Sequence, residues 1–123
     1  MARFFLVAGA LVIALGVAMG AVSAHAAKGA AHPEAARLLQ TAVLYQLIHG
    51  IGIVLAGVLA LRGASRALLA MGVLHLAGVL LFCGSLYALA FTGYSAGLLA
   101  PLGGVALIGG WLALAVFGAR QRG

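Results

Sequence analysis

Four long apolar stretches, each separated from the next by a few polar or turn-forming residues, dominate this chain. Across residues 67–119 no Asp, Glu, Lys or Arg occurs. One helix through that run would reach about 80 Å at 1.5 Å per residue, against roughly 30 Å for the hydrocarbon core of a bilayer. The run must therefore cross twice, and the same reasoning upstream finds two more crossings. The pattern predicts spanning helices over 4–26, 38–61, 67–91 and 98–119, each long enough for the ~20 residues that a crossing needs. The breaks are His32-Pro33-Glu34, then Arg62-Gly63-Ala64-Ser65-Arg66, then Thr92-Gly93-Tyr94-Ser95-Ala96-Gly97. Pro101 falls in the first turn of the fourth helix, where a missing N–H costs least. The runs lack the alternation and the ~10-residue segments of a transmembrane barrel. The expected fold is an all-α integral membrane protein, a four-transmembrane-helix bundle.

Within the helices the pattern is inside-out. Along the second, Leu44, Leu47, Ile48, Ile51, Val54, Leu55 and Val58 repeat at helical spacing, and Ala42, Tyr45, Gln46, His49, Gly52 and Ala56 form the opposite face. Bulky aliphatics suit lipid, while small and polar residues suit helix contacts. The first helix carries Gly9, Gly16, Gly20 and Ala24 on one side, including a GxxxG from Gly16 to Gly20. With Gly52, Gly103 and Gly104 these glycines are the expected packing positions, within the chain or between copies of it.

Composition agrees. Apolar residues are 66% of the chain and charged residues 7%, with a mean hydropathy of +1.26, whereas soluble domains carry about 25% charged residues. The net charge of +6 does not point to nucleic acid, because the cations form no stripe with interleaved aromatics. They punctuate the apolar runs instead. With four crossings, Arg3, Arg62, Arg66, Arg120 and Arg122 share one face, and only Lys28 and Arg37 occupy the other. That bias predicts both termini in the cytoplasm, hence a bacterial inner-membrane protein with N-in and C-in topology. A rival reading takes Ala24-His25-Ala26 as a signal-peptidase site. The apolar stretch before it, residues 4–22, is longer than the 7–15 residues usual for a signal, so retention is expected. Cys83 is the one cysteine and is expected to pack as a small hydrophobe.

The polar residues inside the runs are few. Tyr45, Gln46 and His49 share one flank of the second helix, His25 closes the first, and Ser85 and Tyr87 fall toward the outer end of the third. These six are the candidate cluster, expected in the outer half of the bundle. They form either a hydrogen-bonded network that fixes helix register or a small-ligand site, since polar groups in hydrocarbon need partners. His75 lies about 12 Å from the cytoplasmic end of its helix and His49 about 16 Å from the outer end of its own. The two reach similar depth, where they could hold haem iron. No further ligand stands near enough to complete a zinc or di-iron set, and no cofactor is otherwise expected.

The residues also carry a resemblance. Met19-Gly20-Ala21-Val22-Ser23-Ala24-His25-Ala26-Ala27-Lys28, then Thr41-Ala42-Val43-Leu44-Tyr45-Gln46-Leu47-Ile48-His49, then Leu81-Phe82-Cys83-Gly84-Ser85-Leu86-Tyr87 resemble successive segments of the small YgdD-like inner-membrane proteins. Pro101-Leu102-Gly103-Gly104 and Gly110-Trp111 resemble that family's fourth helix. Cys83 stands where the family has Ser, and Ala21-Val22-Ser23 departs from its A-F-G. The resemblance implies four helices and a retained first helix. It implies no settled activity, because the family is catalogued as a domain of unknown function.

The functional expectation is an accessory or structural membrane component, embedded in lipid and partnered by other subunits or by copies of itself. A module binding or transporting a small ligand (quinone, haem or a small solute) is the alternative. With one carboxylate in the chain, no nucleophile–base pair and no phosphate loop, an enzyme is not expected.

Overall fold

The computed structural model describes residues 1–29 and 33–121; His32 and Arg122, named above, lie outside them. Five α-helical segments make four spans. These are α1 (Ala2–Gly29), α2 (Pro33–Ala60), α3 (Arg66–Gly78) continued through a π-helical turn (Val79–Cys83) into α4 (Gly84–Thr92), and α5 (Leu99–Ala119). Each span is long and apolar enough to cross a membrane, and their limits, such as Glu34–Ala60 and Arg66–Thr92, fall within a few residues of the hydropathy pattern. The ends have local causes. Ser65 caps α3 by accepting from the Leu68 N–H at 3.2 Å, the usual role of an N-cap serine. Gly93, at φ 72°, ends α4 in the left-handed conformation that glycine adopts without strain.

The third span is the one element the hydropathy pattern misdescribes. It was expected as a single regular helix, and it contains the π turn at Val79–Cys83. The turn lies where α5 comes closest. A Cβ on Gly103 would collide with the Phe82 backbone nitrogen, and the Leu107 side chain fills the space above Gly78.

Two hairpins build the bundle. In the first, α1 runs antiparallel to α2 with their backbones in near contact. A Cβ on Gly9 would lie 2.7 Å from the Val54 nitrogen, and one on Gly57 would lie 2.9 Å from the Leu6 nitrogen. Gly16 receives Leu47, and Gly50 receives Ile13. Gly9 and Gly16 are seven residues apart, as are Gly50 and Gly57. That spacing keeps one seam facing a partner along a left-handed crossing. The GxxxG expectation is corrected accordingly. Gly20 meets only Val43, at an ordinary 3.5 Å, because a four-residue step moves off the seven-residue seam. The second hairpin joins the third span to α5, and α2 and the third span pack together at the centre. Phe5 of α1 reaches across to lie on Gly72 of α3.

The lipid-face assignment on α2 is borne out at Leu44, Ile48, Ile51 and Val58, which are exposed, while Ala42, Gln46, His49, Gly52 and Ala56 are buried. Leu47 and Val54 instead serve the α1 seam, Leu55 packs against the core, and Tyr45, expected on the inner face, is 38% exposed at its edge. Gly16→Leu is therefore expected to destabilise the bundle by about 1–3 kcal/mol or more, the cost of overpacking a filled site. Gly20→Ala and Ile51→Leu should leave the detergent melting temperature unchanged. Equal losses for all three would refute the seam.

Candidate functional site

Two apolar clusters form the core, one of Phe5, Ile53, Ala56, Ala60, Leu68 and Met71, the other of Ala42, Val79, Cys83 and Leu107. Between them lies a polar layer. Cys83 is fully buried in the second cluster, as a small hydrophobe would be.

Gln46 ties three spans together. Its Nε2 donates to the Val12 carbonyl of α1 at 3.0 Å, and its Oε1 accepts from the Tyr87 hydroxyl of α4 at 2.6 Å. His49, one turn along, donates from Nδ1 to the Tyr45 carbonyl at 2.7 Å. The Tyr45 ring stacks on it with centres 5.5 Å apart and also meets Phe82 at 4.8 Å. Four of the six candidate residues thus fall into two contacting pairs, Gln46 with Tyr87 and Tyr45 with His49.

The other two do not join. His25 is exposed, and its Nδ1 donates to the Ala21 carbonyl of its own helix at 3.0 Å. Ser23 continues the Gly9–Gly16 seam, so His25, two residues later, turns away from α2. Ser85 is buried, but its hydroxyl donates back to the Leu81 carbonyl one turn earlier, a local bond that removes its need for a partner. The depth also differs from the expectation. Gln46 stands midway along the 28-residue α2, so the layer lies near the middle of the bundle and not in its outer half. Among the packing glycines, Gly52 and Gly103 are enclosed, whereas Gly104 has only the Phe82 ring at 3.8 Å.

The centre of the layer is His75, which sequence reasoning placed apart from the cluster. It is 0% exposed, and neither ring nitrogen has a hydrogen-bond partner. Gly52 of α2 and Gly110 of α5 close on its ring; a Cβ on either would come within 2.7 Å of ring atoms. Trp111 lies edge-on at 4.6 Å between ring centres, and His49 is 5.5 Å away. Gly52, Gly110 and His75 are small, small and large positions on three helices, and only the fold shows that they converge. Ser23 was also missed. Its hydroxyl is buried without a partner beside a groove lined by Gly20, Gln40, Val43 and Leu47.

Chemically, the layer is made of neutral hydrogen-bonding groups and aromatic faces. The His49 and His75 rings have centres 5.5 Å apart, and Trp111 lies against both. Among the described residues no three His, Cys, Asp or Glu side chains gather. Tyr87→Phe removes one interhelical bond, which in membranes averages about 0.6 kcal/mol. A small drop in melting temperature is expected, and a loss several times larger would mean that Gln46 depends on the hydroxyl for its position.

Comparison with known proteins gives these positions a family. The profile described as "Protein of unknown function (DUF423)" matches residues 19–104. A UPF0382 membrane protein of Staphylococcus haemolyticus is 36% identical over 115 residues, covering 93% of each chain. The UPF0382 membrane protein YwdK of Bacillus subtilis is 37% identical over 117 residues, covering 93% of this chain and 94% of its own. A UPF0382 membrane protein of Haemophilus influenzae is 38% identical over 100 residues, 80% of each. No solved structure gives a significant match. With a family profile spanning most of the chain and relatives aligned nearly end to end, this is a multi-pass membrane protein of the DUF423 (UPF0382) family, whose function is unknown.

Proposed function

We propose that the chain is a small accessory component of the bacterial inner membrane, held in a larger assembly or in a complex of its own copies through its outer helices. The observation that carries this reading is the division of the surface. The interior is filled, with Phe5, Ile53, Leu68, Met71, His75 and Cys83 each under 2% exposed. The outer helices leave long apolar faces free, with Leu11 and Leu15 on α1 and Leu102, Val105, Ile108 and Leu112 on α5 all above half exposed. A bundle shaped this way offers more contact surface than internal volume. Co-purification in mild detergent, followed by cross-linking in native membranes, tests it. A reproducible partner or a defined oligomer is expected, and a monomer in both preparations would reject it.

The orientation belongs to the same proposal. Met1, Ala64, Ser65 and Arg66 line one hollow, and Arg62, Phe117 and Gln121 line another at the same end. Arg3, Arg62, Arg66 and Arg120 therefore crowd one end of the bundle, against Lys28 and Arg37 at the other. Short loops with that bias favour the cytoplasm for the crowded end. A reporter fused after Gly123 should read cytoplasm, and a tag inserted after Gly29 should read the outside. A periplasmic C-terminus would overturn the orientation.

A further inference from the structure

We infer that His49 and His75 form a two-coordinate site for a single cuprous ion, closed on one side by the indole of Trp111. The inference is independent of the accessory role proposed above. His75 is the starting point: a fully enclosed imidazole with both nitrogens unpartnered. A buried polar group left unpaired is costly, and a ligand on His75 would offset that cost. His49 supplies the second half. Its Nδ1–H is committed to the Tyr45 carbonyl at 2.7 Å, which fixes the tautomer and leaves Nε2 as a free lone pair. Metal-binding histidines are usually held by this kind of bond from the other ring nitrogen.

The spacing suits one ion and nothing larger. Two imidazoles joined through a metal at about 2 Å per bond have ring centres about 6 Å apart, and the observed separation is 5.5 Å. Gly52 and Gly110 press on His75, which crowds the space for a third ligand beside an ion held there. The identity of the ion follows from charge. The chain has a single carboxylate, Glu34, and it lies at the far end of α2. A divalent ion between two neutral imidazoles would keep its full charge in a low-dielectric interior, where the desolvation penalty rises with the square of the charge. A monovalent d¹⁰ ion that accepts linear coordination pays least, and imidazole is a suitable ligand for copper. Trp111 packs against both rings, with centres 4.6 Å from His75 and 5.9 Å from His49, and so closes one side of the pair. Entry lies along the seam between α2 and α5, which meet sparingly and are bridged there by the half-exposed Tyr45 and Trp111 side chains.

Trp111 is the one tryptophan in the chain, so its fluorescence reports on this site alone. The full chain in mild detergent, kept anaerobic with ascorbate, is titrated with Cu(I) against a chromophoric Cu(I) chelator. One ion per chain with strong quenching of Trp111 is expected. His49→Gln and His75→Gln should each weaken binding by at least about a hundredfold, while His25→Ala should bind as wild type. Because His75→Gln could disturb the fold, X-ray absorption of the copper-loaded wild type provides a separate test, with two imidazole nitrogens and no sulfur as the expected shell. No competition with the chelator, full binding after His49→Gln, or a shell of three or more ligands would overturn the site. The first of those outcomes would leave a bridging water as the partner of His75.

Discussion

Gly103→Ala is expected to prevent the bundle from closing. The added Cβ would land on the Phe82 backbone nitrogen and within 2.9 Å of both the Phe82 Cα and the Leu81 Cβ. None of these atoms belongs to a side chain that can rotate away, so one helix must move as a body. Overpacking ordinarily costs about 1–3 kcal/mol, and a clash with backbone belongs at or above the top of that range. Gly104→Ala, one residue on, meets nothing nearer than a ring carbon at 3.8 Å and should be silent. Fluorescence-detected size exclusion after a heating series measures both. Equal behaviour of the two variants would show that α5 is set one residue out of register.

Gly110→Ala carries the second large effect, through His75. Its Cβ would lie 2.6 Å from Nε2 and Cδ2 of the ring, and the ring cannot retreat because Gly52 stops it on the α2 side. A loss of about 1–3 kcal/mol is expected, with a shift in Trp111 emission as the edge-on pair at 4.6 Å is disturbed. Combining Gly110→Ala with His75→Ala separates this clash from any effect on helix propensity. Once the ring is gone the methyl group has space, so the two losses should fall short of additivity by 0.5 kcal/mol or more, in the roughly 0.5–3 kcal/mol range seen for residues in contact. Strict additivity would mean that Gly110 does not touch His75.

What was legible in the sequence follows from which residues had a contrast to read. On α2, aliphatics such as Ile51 alternate with Gln46 and His49 at helical spacing, so its inward face could be read before any partner was known. α5 offers no such contrast. It is apolar around its whole circumference, and only the third span decides that Gly103, Leu107 and Gly110 face inward. The glycines of α1 were readable as a packing face, but the choice between a four-residue and a seven-residue seam rests on Gly50 and Gly57 of the partner helix. His25 misled because a polar residue near a span end can satisfy itself on its own helix, as it does with Ala21. His75 was weighed as a haem ligand beside His49, since depth can be counted along a helix, whereas the closing of Gly52 and Gly110 around it cannot.

The π turn in the third span has a consequence for how this chain tolerates changes in length. A π turn accommodates one residue more than an α turn does, and each residue of an α-helix advances the direction of its side chains by about 100°. Everything after Cys83 therefore faces as it would in a regular helix one residue shorter, because the turn absorbs a single surplus residue. Leu80, 67% exposed, could be deleted with almost no change in hydropathy or in the capacity to span. The helix would then close into a regular spiral with the Tyr87 hydroxyl still turned toward the Gln46 amide, whereas the same deletion between Arg66 and Gly78 would swing that hydroxyl by about 100°. For this span the specification is arithmetical as well as chemical: one residue can be lost within the turn and the last third keeps its place in the bundle, while one lost elsewhere along the span puts that third out of phase.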